Sequence, residues 1–122
     1  MAVSILVVDD DPVILQLLRV NFELEGFDVL TAPDGESALA LAREHTPDVV
    51  VTDVMMPRMS GLELLEKLKS DPVTGAIPVL LLTAKAQQVD IETGRVAGAD
   101  DYVTKPFDPM DLVDRVNRLS GA

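Results

Sequence analysis

The sequence predicts an α/β domain, a doubly wound five-stranded parallel sheet with helices on both faces. Three observations carry this. Short apolar runs alternate five times with segments of helical periodicity, the pattern of strand–helix units laid side by side. The third and fourth runs, DVVVT at 48–52 and VLLL at 79–82, are continuously apolar, as strands covered on both faces must be. The chain has 122 residues, 48% of them hydrophobic, enough for one domain around one core. The right-handed crossover rule then leaves only a few topologies.

The elements follow in order. SILVV at 4–8 is a buried first strand. Asp11 and Pro12, a cap residue and a proline suited to the first helical turn, open a helix over 12–25, whose apolar stripe is expected at 14, 17, 18 and 24. Gly26 is placed to stop it. DVLTA at 28–32 is the second strand, and Asp34 caps a helix containing Ala38, Leu41 and Ala42. After the third strand, Ser60-Gly61-Leu62-Glu63 has capping-box spacing and starts a helix through Leu64, Leu65 and Leu68. The turn-rich stretch SDPVTGAIP leads to the fourth strand. A helix is expected around 87–97, a short fifth strand at 101–104, and a last helix from Asp108-Pro109 with Leu112, Val113, Val116 and Leu119 on its inner face.

Composition narrows the function. Net charge is −11, from 21 acids and 10 bases, and such a surface repels phosphate backbones; direct nucleic-acid binding by this chain is not expected. There are no cysteines, which excludes disulfides and thiolate metal sites. The first apolar run is too short for a signal peptide or a membrane span, so the expected location is the cytoplasm, with no membrane association.

Open parallel sheets bind ligands beyond the carboxyl ends of their strands. Residues there include Asp9 and Asp10 after the first strand, Asp53 after the third, Thr83 after the fourth and Lys105 after the fifth. Three carboxylates, a hydroxyl and an ammonium then share one crevice. Clustered carboxylates are tolerable around a hard cation, and Mg²⁺ takes oxygen ligands while keeping several waters. The hydroxyl and ammonium suit a phosphoryl group beside it, and one of the carboxylates is able to act as its nucleophile.

Four stretches sharpen this: ILVVDDDP at 5–12, DVMMPRMSG at 53–61, LLLTA at 80–84 and GADDYVTKPF at 98–107. In their order and spacing the sequence resembles the response-regulator receiver domain of two-component signalling, across essentially all of residues 1–122. The resemblance implies the flavodoxin-like strand order 2-1-3-4-5, carried over from the family. It implies that Asp53 is the phosphoacceptor, that Asp10 binds Mg²⁺ (or Mn²⁺) directly and Asp9 mainly through water, and that Met55 contributes its backbone carbonyl. Lys105 is implied to pair with the phosphoryl group, with a cis peptide bond to Pro106. Thr83 turns its hydroxyl to the phosphoryl oxygen, Tyr102 moves into the space released, and small Ala84 leaves the donor a path. The switched surface is the one formed by the helix at 87–97, the fifth strand and the last helix. Implied partners are a histidine kinase or histidine phosphotransfer protein, and a downstream partner or attached effector domain.

Other residues have simpler expectations. His45 is a solvated residue, the side chains of Met55, Met56 and Met59 serve loop packing and partner contact, and Asp100 and Asp101 are surface acids, with Arg115 available to Asp101. That pair suits a phosphorylation-dependent dimer, but Ile91 and Ala97 depart from the charges such dimers carry. Lys85 and Met55 flank the site where the family varies. A phosphohydrolase with an aspartyl intermediate wants a second acid two residues on, and Asp53-Val54-Met55 lacks it. A nucleotide or flavin module wants a glycine-rich loop after the first strand, and DDDPV has no glycine. The expected chemistry is therefore self-phosphorylation and dephosphorylation, not turnover of an external substrate.

Overall fold

The computed structural model describes residues 2–84 and 98–121. Its elements are β1 (Ser4–Val8), α1 (Pro12–Leu24), β2 (Asp28–Ala32), α2 (Gly35–His45), β3 (Val49–Asp53), α3 (Gly61–Ser70), β4 (Val79–Ala84), β5 (Asp101–Lys105) and α4 (Pro109–Ser120). Here α4 is the last helix of the chain. The helix expected around 87–97, with Lys85, Ile91 and Ala97, lies outside the described residues, as does the side chain of Ala84.

Local chemistry sets the helix starts. Asp11 accepts from the Val13 N–H and Asp108 from the Met110 N–H, each ahead of a proline in the first turn. Asp34 accepts from the Ser37 N–H at 2.8 Å. Ser60 and Glu63 form the full capping box that opens α3. Each such cap is worth about 1 kcal/mol.

The five strands are parallel in the order β2-β1-β3-β4-β5. Register aligns their carboxyl ends: Val8 lies beside Thr52, Asp53 beside Leu82, and Ala84 beside Lys105. β3, β4 and β5 each extend one or two residues beyond the runs read from sequence. Asp53 and Lys105 are therefore the last residues of their strands, and Thr83 sits inside β4. The added ladder bonds fix the backbone beneath these side chains.

Alternate strand residues feed two core layers. Leu6, Val8, Val50, Val79 and Leu81 pack with Ala38 and Ala42 of α2 and Leu64, Leu65 and Leu68 of α3. Ile5, Val7, Val49, Val51, Leu80 and Leu82 pack with Leu18 and Phe22 of α1 and Leu112, Val113 and Val116 of α4. The Phe22 and Phe27 rings meet edge to face, centroids 5.0 Å apart. This geometry is worth about 1 kcal/mol beyond the area it buries.

Helix α1 corrects one expectation. Leu18 and Phe22 are buried, with Ile14 and Leu15 packed beside them, whereas Leu17 and Leu24 are exposed. The helix is apolar on most sides, so periodicity alone does not choose its inner face. The face turned outward carries Val13, Leu17, Val20 and Leu24, a stripe with one residue per successive turn.

Asp100 is not a free surface acid. Its Oδ2 accepts from the Val79 N–H at 2.8 Å and from Lys69 Nζ at 3.1 Å, and Lys69 also donates to the Ile77 carbonyl at 2.9 Å. This joins the end of α3 to the start of β4 and the entry to β5. Asp101 accepts a bidentate pair from Arg115 Nη1 at 3.0 and 3.1 Å, while Arg115 Nε donates to Asp111 at 3.0 Å. The Asp101–Arg115 pair is thus made within one chain.

Candidate functional site

The site lies where β1, β3 and β5 end. Asp9 follows β1 directly and is 1% exposed, because it sits between the strand ends rather than beyond them. Its Oδ1 accepts from the Asp11 N–H at 2.9 Å, which holds the carboxylate while α1 begins. Asp53, ending β3, is 6% exposed, and Asp10 is exposed. One carboxylate oxygen from each of Asp9, Asp10 and Asp53 lies within 4.8 Å of the others. Lys105 Nζ reaches in from β5 and stands 3.3 Å from Asp9 Oδ2 and 3.2 Å from Asp53 Oδ1.

Among the described residues, three carboxylates thus face one ammonium. Burial pushes the Asp53 carboxyl up from its ordinary range, and Asp9 pushes it further, against the opposing pull of Lys105. Burial likewise raises Asp9, against the Asp11 N–H and Lys105. For Lys105 burial works against the charge, but Asp53 and Asp9 outweigh it and its pKa is raised. Among the described residues, the centre has more negative charge than Lys105 offsets. Its donors are carboxylate oxygens, the hard ligands that Mg²⁺ or Mn²⁺ takes. His45, the chain's single histidine, ends α2 at the opposite edge of the sheet and contributes nothing here. The residues present therefore fit a hard divalent cation.

Around this centre, Thr83 is fully buried, and its Oγ1 has no hydrogen-bond partner among the described residues. Buried hydroxyls are ordinarily paired, so this one is available to a group entering the site. Tyr102, opposite Leu81 in the sheet, is half-buried against the α2/α3 core layer with its hydroxyl buried. The Lys105–Pro106 peptide bond is cis. Met55 follows Val54 in the loop after β3, its side chain 65% exposed. Met56, in contrast, is buried in the core.

Two supports were not legible as site residues. The Thr52 hydroxyl donates to the Asp53 carbonyl at 3.1 Å, from a fully buried position. Gly61 donates its N–H to the Val54 carbonyl at 2.9 Å, and a Cβ there would run into the Asp53 carbonyl oxygen. Only glycine lets α3 start this close to the end of β3. The signal present in sequence was a glycine at the first helical position after Ser60, where a better helix former would otherwise serve.

Comparison with known proteins agrees with this architecture. The family model described as response regulator receiver domain matches residues 5–117. The chain is 50% identical over 117 residues to the probable transcriptional regulatory protein TcrX of Mycobacterium tuberculosis, covering 96% of this chain and 49% of that one. It thus spans about half the length of the curated relatives it matches. The structure of the chemotaxis protein CheY4 of Vibrio cholerae superposes with a TM-score of 0.91 at 32% identity, covering 98% of this chain and 99% of that one. The receiver domain of a sensor histidine kinase of Pseudomonas aeruginosa PAO1 gives 0.91 at 28% identity over 100% of both chains; that structure has a magnesium ion coordinated in its active site cleft. With motifs, strand order and acidic centre all in agreement, the chain belongs to the response regulator receiver domain family.

Proposed function

We propose that Asp53 accepts a phosphoryl group and that the resulting change at the β4–β5 edge passes the signal to a partner protein or effector domain. The observation that carries this is the convergence of Asp9, Asp10 and Asp53 with Lys105 at one sheet edge. Asp9, Asp10, Asp53 and the Met55 carbonyl would hold the divalent cation. When bound, it neutralises the carboxylates and the charge on phosphoryl oxygens. A carboxylate oxygen of Asp53 attacks the donor's phosphorus, and the donor leaves with the bonding pair. Lys105, already beside Asp53, pairs with the incoming group. Thr83 supplies its unpartnered hydroxyl, and Tyr102 follows into the space that Thr83 gives up. Receiver domains modify themselves in this way and do not turn over an external substrate.

The phosphoryl donor we propose is a histidine kinase or histidine phosphotransfer protein, docked along α1. A groove of about 410 Å³ lined by Ile14, Leu17, Lys105, Pro106 and Phe107 joins the outer face of α1 to the site lysine. Val13, Leu17, Val20 and Leu24 continue that apolar surface, at 72%, 43%, 42% and 80% exposure. A donor must reach Asp53 past this rim, so a helix laid there would bury the stripe while presenting its phosphohistidine. For output through a dimer, Arg115 would first have to release Asp101 and Asp111, which it holds within the chain.

The assignment is tested by phosphorylating the protein, reducing it with borohydride and mapping the peptides. An acyl phosphate at Asp53 is converted to homoserine at that position. Homoserine at another aspartate, or phosphate stable to borohydride on a hydroxyl, would contradict the assignment.

A further inference from the structure

The loop from Val54 to Ser60 carries the Met55 carbonyl, and something must place it. Two contacts do so. At its far end, Gly61 is bonded to the Val54 carbonyl at 2.9 Å and packs on the Asp53 backbone. Before that point, Met59 lies across the start of α2. A Cβ built on Gly35, the first residue of that helix, would stand 2.6 Å from Met59 Sδ, 2.8 Å from its Cγ and 2.9 Å from its Cβ. Gly35 is buried, and Met59 packs onto the α2/α3 core layer.

The third of those distances decides the consequence. Sδ and Cγ can swing away by rotamer change, but Cβ moves only with the loop backbone. That backbone has little slack. Arg58 already takes the left-handed conformation at φ 67, Pro57 fixes its own φ, and the Met59 N–H bonds to the Pro57 carbonyl at 2.8 Å. Because 61 is held, a displacement at 59 is therefore passed back to Met56, whose core seat shares the peptide of the Met55 carbonyl.

We propose that Gly35 and Met59 are positioning residues for the cation site: their contact seats the 54–60 loop and so sets how well the Met55 carbonyl joins the carboxylates. This rests on the metal reading above, and the test separates the two. Mg²⁺ binding is measured by titration calorimetry on the intact protein, with Gly35→Ala, Met59→Ala and Glu44→Gly. The last weakens the same helix from an exposed position at its far end, outside the core layer that Met59 joins. Folding of each variant is checked by circular dichroism, and the Met55 amide is followed by NMR.

Gly35→Ala is expected to weaken Mg²⁺ binding by about 10-fold, the scale on which groups supporting metal ligands act. Met59→Ala should weaken it less, about 3-fold, by loss of the seat rather than by a clash, below the 10-fold scale of groups that hold a metal ligand directly. The Met55 amide should shift in both. Glu44→Gly should leave affinity unchanged. Parent-like affinity in a folded Gly35→Ala protein overturns the proposal, as does equal weakening in Glu44→Gly. If Gly35→Ala does not fold, unchanged affinity in Met59→Ala overturns it. A parent that binds no Mg²⁺ overturns the metal reading and the proposal with it.

Discussion

Lys105 Nζ stands 3.2 Å from Asp53 Oδ1, so the residue proposed to take the phosphoryl group is paired with a cation before any donor arrives. The same ammonium also serves Asp9 at 3.3 Å. One lysine holding two buried carboxylates stabilises the metal-free centre incompletely, and the energetics of the fold should show it.

Asp9 and Asp53 both have raised pKa values. The native state therefore binds protons more tightly than the unfolded chain. The ionised centre costs stability above those raised values, and the cost fades as pH falls toward the ordinary carboxylate value of 3.8. In metal-free buffer at neutral pH, Asp9→Asn should be more stable than the parent by about 1 kcal/mol, since a buried charge with shared compensation is removed. The gain should shrink toward pH 4. Denaturant melts across that range check both sign and trend. Added Mg²⁺ should raise the parent's Tm and raise that of Asp9→Asn less.

Lys105→Met should act in the opposite direction. It leaves Asp9 and Asp53 facing each other without their cation, and metal-free stability should fall by about 2 kcal/mol. That figure lies below a fully buried pair because Lys105 keeps 26% of its side-chain surface exposed. Lys105 also has a raised pKa and contributes stability below its ordinary value of 10.5, lost as pH rises through the raised one. The difference between parent and variant should therefore narrow in strong alkali, which a denaturant series to high pH would detect.

Asp100→Ala is predicted to cost about 2 kcal/mol, because it leaves the Val79 N–H unsatisfied and frees Lys69. Asp101→Ala should cost less, about 1 kcal/mol, because it removes a partly exposed ion pair and a local acceptor of the Tyr102 N–H at 2.8 Å. Measuring both by urea denaturation tests whether the two neighbouring acids differ as their partners do.

Leu17→Asp and Val20→Asp place charges on the exposed stripe of α1 without entering the core. Phosphotransfer from a cognate kinase should fall at least 10-fold, the loss of an apolar anchor being worth about 1.4 kcal/mol or more. Phosphorylation by acetyl phosphate, which needs no docking surface, should be unchanged. Equal losses with both donors would place these residues in the chemistry instead.

What the sequence made legible were the features that repeat or sit at element ends. The valine run of β3 and the VLLL of β4 identified the parallel sheet, and Asp9, Asp10, Asp53 and Lys105 followed as residues at one edge. Caps at Asp11, Asp34, Ser60 and Asp108 were equally local. The inner face of α1 was not legible, because Val13, Ile14, Leu15, Leu17, Leu18, Val20, Phe22 and Leu24 leave it apolar on most sides. Only the packed sheet chose Leu18 and Phe22. Asp100 looked like one acid of a surface pair, since its partners Lys69 and Val79 are distant in sequence and no local pattern announces them. The meeting of Gly35 with Met59 was hidden for the same reason.

The most direct test is intact mass after incubation with acetyl phosphate, with and without Mg²⁺, for the parent and Asp53→Asn. The account predicts a single phosphoryl adduct that requires Mg²⁺ and is absent from Asp53→Asn. An adduct of equal yield on Asp53→Asn, or one indifferent to Mg²⁺, would contradict it.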